Sequence, residues 1–335
     1  MDVDKTPTRD NTPTRVEELW FEDGGLVVQA EQSLFRVSRG ILAARSSVFK
    51  DMLAFTQPPN AETIDGCPVV RLPDSAEDVK RFFRAIFDSS FFEPHPSKVS
   101  FEDVLSIARL SHKYAVEYLL RRALTHLSHD FPMTLSAFDE QGPNTSSTDF
   151  HEIRIDWIDV HLAVVQLARK VDALWLLPVA FHQLVQTDED GISVVLQCTE
   201  YDGHDAELSD DDQILFLKFS LLLSRLEIDA LDFLHSTDDN PQCTGGTGCS
   251  TARLRALVQG HKCIARGVGP LRLSKGWRHG GDIWDGLLQS CCATCFKRLE
   301  EAHGQARKDI WDQLPTLCEL PPWPELEKMK SDALE

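Results

Sequence analysis

Four cysteines have a spacing that could hold a metal. Cys243 and Cys249 bracket Thr244-Gly245-Gly246-Thr247-Gly248, and Cys292 and Cys295 form a C-x-x-C at the head of an expected helix. Zinc takes four soft ligands in a tetrahedron, and two loop pairs brought together supply them without using a core residue. The first pair has five intervening residues rather than the usual two to four, and the 42 residues between Cys249 and Cys292 are long for a ribbon or finger. Cys291, Cys263, His261 and His279 are near enough in sequence to substitute. Two readings stay open: a structural zinc site on Cys243, Cys249, Cys292 and Cys295, or reduced thiols. A redox C-x-x-C of the thioredoxin kind needs a strand before it, and Leu287-Leu288-Gln289 offers little of one.

Other chemistries fail on their residues. There is no Gly-x-Ser-x-Gly elbow, and His151-Glu152 lacks the second histidine a zinc protease needs. Gly245-Gly246-Thr247-Gly248 is followed by no Lys-Ser/Thr and preceded by no strand, so it is not a phosphate loop. In Asp188-x-Asp190 the sixth position of a calcium loop would be Ser193, where the turn requires glycine. The acids between Asp188 and Asp212 read instead as a solvated face. The twelve histidines are scattered singly. Trp277, Trp284, Trp311 and Trp323 read as core rather than a binding cage. No catalytic set is visible, and the expectation is a non-enzyme.

Composition narrows the class further. The 335 residues are 42% apolar, enough for two or three cored domains, and carry a net charge of -19. Such a field repels phosphate backbones, and only the modest basic stretch Lys262–Arg278 opposes it, so nucleic acid is not an expected partner. The opening MDVDKTPTRDNTPTR has no apolar segment of a secretory signal, and Ile214–Leu223, interrupted by Lys218, is too short to span a bilayer. The expected setting is intracellular, cytoplasmic or nuclear, with no membrane partner. There the nine cysteines are reduced thiols or metal ligands rather than disulfides.

Several elements can be placed from the pattern. The repeated Thr-Pro-Thr-Arg of residues 1–15 predicts a disordered tail with two Thr-Pro steps that a proline-directed kinase could use. Leu26–Val37 predicts two short strands joined at Glu31-Gln32-Ser33. Ile41, Leu42, Val48, Phe49, Met52 and Leu53 then recur at helical spacing, so the strand feeds straight into an apolar helix. Val69–Leu72 reads as a short strand. Ser75–Asp78 and Ser100–Asp103 are capping boxes, the first heading a helix with the stripe Val79, Phe82, Phe83, Ile86 and Phe87. A further helix is expected from about Tyr114 to Ser128. Asp139–Asp149 is polar and turn-rich and is taken as a linker. Beyond it the pattern predicts helices over Trp157–Val171, Leu174–Val185 and Asp210–Phe233, the last capped by Ser209 with Asp212.

The stretch LWFEDGGLVVQAEQSLFRVSRGILAARSSVFKDML resembles the opening of the BTB/POZ domain, matching its run at Phe35, Arg39, Leu42, Arg45, Ser46, Phe49, Met52 and Leu53. The family's histidine is replaced by Ser38. ARLSHKYAVEYLLRRAL is similar to the last two helices of that domain, where a Lys-Tyr pair opens the final helix. The resemblance spans about residues 17–131, and the Trp20–Gly24 entry looks most like BTB proteins of mushroom-forming fungi. It implies an α+β N-terminal domain, a small sheet capped by helices, followed by an all-α region. The resulting division is a tail at 1–15, a BTB/POZ domain at 16–133, a linker at 134–152, a helical domain at 153–236 and a cysteine-bearing helical module at 237–335.

The resemblance also implies protein partners: a second copy, and a cullin-type ubiquitin ligase for which the chain would be a substrate adaptor. A scaffold or transcriptional co-regulator is the alternative. The family's cullin-contacting signature belongs in the loop before Val69, where only Asn60-Ala61-Glu62 offers the letters, while Phe91-Phe92-Glu93 has them in the wrong loop. The long first helix that some BTB dimers exchange has no counterpart before Trp20.

Overall fold

The computed structural model describes residues 12–55, 62–141, 157–186, 189–235, 241–265 and 283–335. The chain forms two compact units, Met1–His126 and Leu127–Glu335.

The first unit is built on a sheet of five strands in the order β1 (Thr14–Trp20), β3 (Ser33–Val37), β2 (Leu26–Ala30), β5 (Cys67–Leu72) and β4 (Thr63–Ile64). β2 runs antiparallel to β3 and parallel to β5, while β1 lies parallel to β3. Two of its turns are Glu31-Gln32 and Asp65-Gly66, in which Glu31, Asp65 and Gly66 have positive φ. Asp65-Gly66 places both central residues there, as a tight hairpin twisting with its strands requires. Thr14 and Arg15, expected in the disordered tail, open β1. Their lack of apolar side chains is no obstacle, because backbone bonds such as Thr14 N–H to the Gln32 carbonyl at 2.7 Å hold the strand. The rest of that tail, 1–11, lies outside the described residues.

The helix expected after β3 is two helices, α1 (Arg39–Arg45) and α2 (Ser47–Ala54). Ser38 caps the first by accepting from Ile41 N–H, and Ser46 breaks the run by adopting an extended backbone and accepting from Phe49 N–H. α3 (Ala76–Phe87) and α4 (Phe101–Lys113) start at their capping boxes, with Ser75 and Ser100 accepting from Asp78 and Asp103 N–H. α5 runs from Glu117 to Asp130. Tyr114 therefore does not open the final helix; it caps the end of α4, because Ala115 has positive φ and turns the chain. Phe35 meets Phe83 edge-on at 5.6 Å, Phe83 lies 6.4 Å from Phe49, and Phe49 stacks on Tyr114 at 4.7 Å. One aromatic core thus ties sheet to helices, each buried ring stabilising by about 2–3 kcal/mol. The Tyr114 hydroxyl donates to Asp74, and burial followed by that carboxylate pushes the phenol far above its ordinary pKa.

The second unit is mostly helical: α6 (Leu135–Glu140), α7 (Trp157–Lys170), a 3-10 turn at Leu174–Leu176, α8 (Leu177–Leu184), α9 (Glu189–Val195), α10 (Asp210–Asp229), α11 (Asp232–His235), α12 (Thr247–Ile264), α13 (Ile283–Ser290), α14 (Ala293–Leu317) and α15 (Trp323–Leu334). It is not all-α, because β6 (Thr199–Tyr201) and β7 (His204–Ala206) form a hairpin around Asp202-Gly203, both at positive φ. α10 ends at Asp229, short of Phe233, and the chain bends so that Leu231 packs on Gly260 of α12. Asp212 departs from the solvated face expected of its neighbours. It is buried and accepts a forked pair of bonds from Arg169 at 2.7 and 3.1 Å. Asp139, expected in a linker, lies in α6 and takes both guanidinium nitrogens of the buried Arg307; the remaining linker positions 142–149 lie outside the described residues. Trp311 is buried and its ring stacks on Trp323 at 5.5 Å. Trp277 and the Trp284 side chain lie outside the described residues.

Candidate metal centre

A small core positions the cysteines. Leu231 just before α11 and Leu234 within it, Ala252, Ala256 and Leu257 of α12, Ile283 and Leu287 of α13 and Leu299 of α14 pack together. They bring the start of α12 against the turn from α13 into α14. Gly246 precedes α12 and has φ +51, a conformation that suits glycine. Cys249 is in the first turn of α12. Cys292 is the N-cap of α14, and Cys295 lies in its first turn.

Cys243, Cys249, Cys292 and Cys295 come together here, their sulfurs all within 4.8 Å of one another. Cys292 and Cys243 are 4.0 Å apart, Sγ to Sγ. All nine cysteines are free thiols, and 4.0 Å is twice a disulfide length. Sulfurs 2.3 Å from a central zinc sit about 3.8 Å apart along a tetrahedron edge, so the cluster would need to contract by at most about 1 Å. The donor set, four thiols on two loops, is the soft set zinc takes.

The surroundings favour thiolates. Helix N-termini leave backbone N–H groups unpaired and carry partial positive charge, and α12 and α14 both begin at the cluster. Cys292 N–H donates to Cys249 Sγ at 3.2 Å. Backbone N–H groups of Cys295 and Thr244 hold the Cys292 thiol down at about 5. Cys243 is lowered by the Cys295 side chain and by the Gly245 N–H. Cys291 packs against the apolar core with its thiol 4.0 Å from the Cys249 carbonyl; burial, followed by the neighbouring Cys249, pushes it up to about 11.

Gly245 makes the close approach. A Cβ there would lie 2.4 Å from Cys249 Sγ and 3.6 Å from Cys292 N. The glycine was visible in the sequence, but its contact with Cys249 was not. The substitute ligands do not reach. Cys263 and His261 lie twelve or more residues along α12 from Cys249, about 18 Å of helical rise away, and His279 lies outside the described residues. Of the basic stretch Lys262–Arg278, residues 266–278 lie outside them as well.

The signature letters of the first unit can also be placed. Asn60 and Ala61 lie outside the described residues, and Glu62 is ion-paired to Arg71 at 2.5 Å. Phe92 is buried, so Phe91-Phe92-Glu93 does not offer its middle residue to a partner. No helix among the described residues is long and apolar enough to cross a membrane.

A BTB/POZ domain model matches residues 21–130. No curated protein and no solved structure matches the chain. The N-terminal part is thus a BTB domain, a protein–protein interaction module, and a mostly helical region follows it.

Proposed function

We propose that the protein is an intracellular interaction adaptor: the BTB domain engages a partner, and the helical unit, clamped by zinc, holds a second one. The single observation behind this reading is the BTB match over residues 21–130, continued by a separate compact unit with its own cores. An adaptor needs two bodies that can be occupied independently.

A cullin-type ubiquitin ligase is the partner to test first. Tagged full-length protein should co-purify a cullin under conditions that stabilise ligase assemblies; repeated absence of one sinks the ligase role. A scaffold or transcriptional co-regulator without ligase contact is the second reading, favoured by the loop before Val69, where the cullin-contacting letters come only as Asn60-Ala61-Glu62. Exclusion of a fluorescent fusion from the nucleus would count against the transcriptional version.

Zinc at Cys243, Cys249, Cys292 and Cys295 would play a structural part. Four protein ligands fill its coordination sphere and leave no open position for a substrate. The tetrathiolate carries net charge −2, which the N-termini of α12 and α14 stabilise. The ion would fasten a glycine-rich loop to the turn between α13 and α14. Elemental analysis of the purified chain, with and without Cys292→Ser, decides it: no stoichiometric zinc in the unsubstituted chain means no site.

A further inference from the structure

The four cysteines of the centre differ in how freely they move. Cys249 is buried in the first turn of α12, and its sulfur accepts from Cys292 N–H at 3.2 Å. Cys295 is held in the first turn of α14. Cys243 precedes α12, belongs to no helix or strand, and is followed by Gly245 and Gly246. Cys292 is the N-cap of α14, with an extended backbone. Cys243 and Cys292 are only partly buried, and their sulfurs stand 4.0 Å apart. A disulfide needs about 2.05 Å, so these two must close by about 2 Å. A change of side-chain rotamer and a shift of the glycine-bearing loop are movements of that size.

We propose that the centre is redox-responsive: a hydroperoxide oxidises Cys243 and Cys292 to a disulfide, which ejects the zinc yet keeps the loop fastened to the turn between α13 and α14. This rests on the zinc reading of the centre and adds its regulation. A zinc-bound cysteine is a thiolate, the nucleophilic form. One of the two thiolates attacks a peroxide oxygen, the O–O bond breaks and hydroxide leaves, giving a sulfenic acid. The other thiolate attacks that sulfur, the S–O bond breaks and a second hydroxide leaves. Two electrons pass from the sulfurs to the peroxide, and the hydroxides take protons from solvent to become water. Only Cys249 and Cys295 then remain as ligands, too few to hold the ion.

Where the bond forms decides what it does. Cys243 and Cys292 are 49 positions apart, and a bond between them spans the gap the ion bridges. A bond inside the C-x-x-C, from Cys292 to Cys295, leaves the loop free. The chain thus exchanges a metal clamp for a covalent one. The loop is released only when the cysteines are both reduced and metal-free.

The test uses the full chain with Cys198→Ser, which removes an exposed thiol able to bridge two copies. Zinc-loaded protein is treated with hydrogen peroxide. Released zinc is read with a chromophoric chelator, and cysteine pairing by mass spectrometry of an unreduced, alkylated digest. One zinc should appear per disulfide, and the disulfide should link Cys243 with Cys292. A dithiol reductant with added zinc should reverse both. In calorimetry with chelator present, the oxidised chain should keep the melting temperature of the helical unit near that of the zinc-loaded protein, and the reduced chain should not. Adding Cys291→Ser, outside the ligand set, should leave the same bridge. A disulfide between Cys292 and Cys295 or one containing Cys291, sulfinic acid with no disulfide, or zinc that stays bound under peroxide overturns the proposal and leaves the zinc reading standing. No stoichiometric zinc before peroxide is added sinks the zinc reading itself, and the proposal with it.

Discussion

Replacing Gly245 by alanine tests whether the cysteine cluster is built for a metal or is merely four thiols near one another. The added methyl would sit 2.4 Å from Cys249 Sγ and 3.7 Å from Cys292 Cβ. Ordinary contact between heavy atoms begins at about 3.5 Å, so the sulfur or the loop must shift by about 1 Å. A zinc–sulfur distance tolerates only about 0.2 Å. Small-to-large strain in a packed site costs about 1–3 kcal/mol, and if it falls on the metal-bound state, zinc affinity drops about 5- to 150-fold. The control is Gly248→Ala, whose methyl would meet only the Ser290 carbonyl at 3.9 Å, an ordinary contact. It lies in α12, where alanine is the better helix former. Both proteins are titrated against a chromophoric zinc chelator. Gly245→Ala should lose the competition at a chelator concentration where Gly248→Ala and the unsubstituted chain keep their zinc. Equal retention by Gly245→Ala would refute the argument that the loop approaches Cys249 because a metal holds it there.

Removing zinc with a strong chelator should lower the melting temperature of the helical unit and leave the BTB domain unaffected, seen in calorimetry of the full chain as a shift of one transition and not the other. His303 is buried, and burial with the nearby Arg307 guanidinium holds its pKa down at about 3, against 6.5 in the unfolded chain. The unfolded state therefore takes up the proton first: stability is full above pH 6.5 and falls by about 1.4 kcal/mol per pH unit below it. Urea midpoints from pH 7 to 5 should show that slope, and His303→Gln should flatten it. Asp139→Asn leaves the buried Arg307 without its carboxylate and should cost about 3 kcal/mol, measured by urea unfolding at pH 7. Phe83→Ala opens a cavity between Phe35 and Phe49 and should destabilise the BTB domain by about 3–5 kcal/mol, which a thermal melt of the full chain would register as a lowered first transition.

Much of the architecture could be read from local pattern, because the signals are local. Ser75 and Ser100 cap their helices where the boxes stand, since a cap needs only a side chain three residues from the N–H it serves. Two hairpins were legible and went unread: Ile64-Asp65-Gly66-Cys67 and Tyr201-Asp202-Gly203-His204 carry the Asp-Gly turn that both structures use. Ser46 and Tyr114 misled for the opposite reason. Helical spacing runs across each of them, and the break comes from their backbone conformations and from a bond between them, Ser46 hydroxyl to Tyr114 carbonyl, spanning 68 positions.

The chain's own letters were enough to nominate Cys243, Cys249, Cys292 and Cys295 and to mark a BTB opening, because ligand type and hydrophobic period are written residue by residue. Folding alone could choose among the rival ligands: the straight rise of α12 carries His261 and Cys263 away while the core around Leu231 and Leu287 closes 42 residues of separation to within 4.8 Å. Helix α10 (Asp210–Asp229) divides the same way: its apolar residues are in the sequence, yet whether Leu215, Phe216, Phe219 and Leu223 or Ile214, Leu217, Leu221 and Ile228 are buried depends on what packs against it, and that is a property of distant residues brought near.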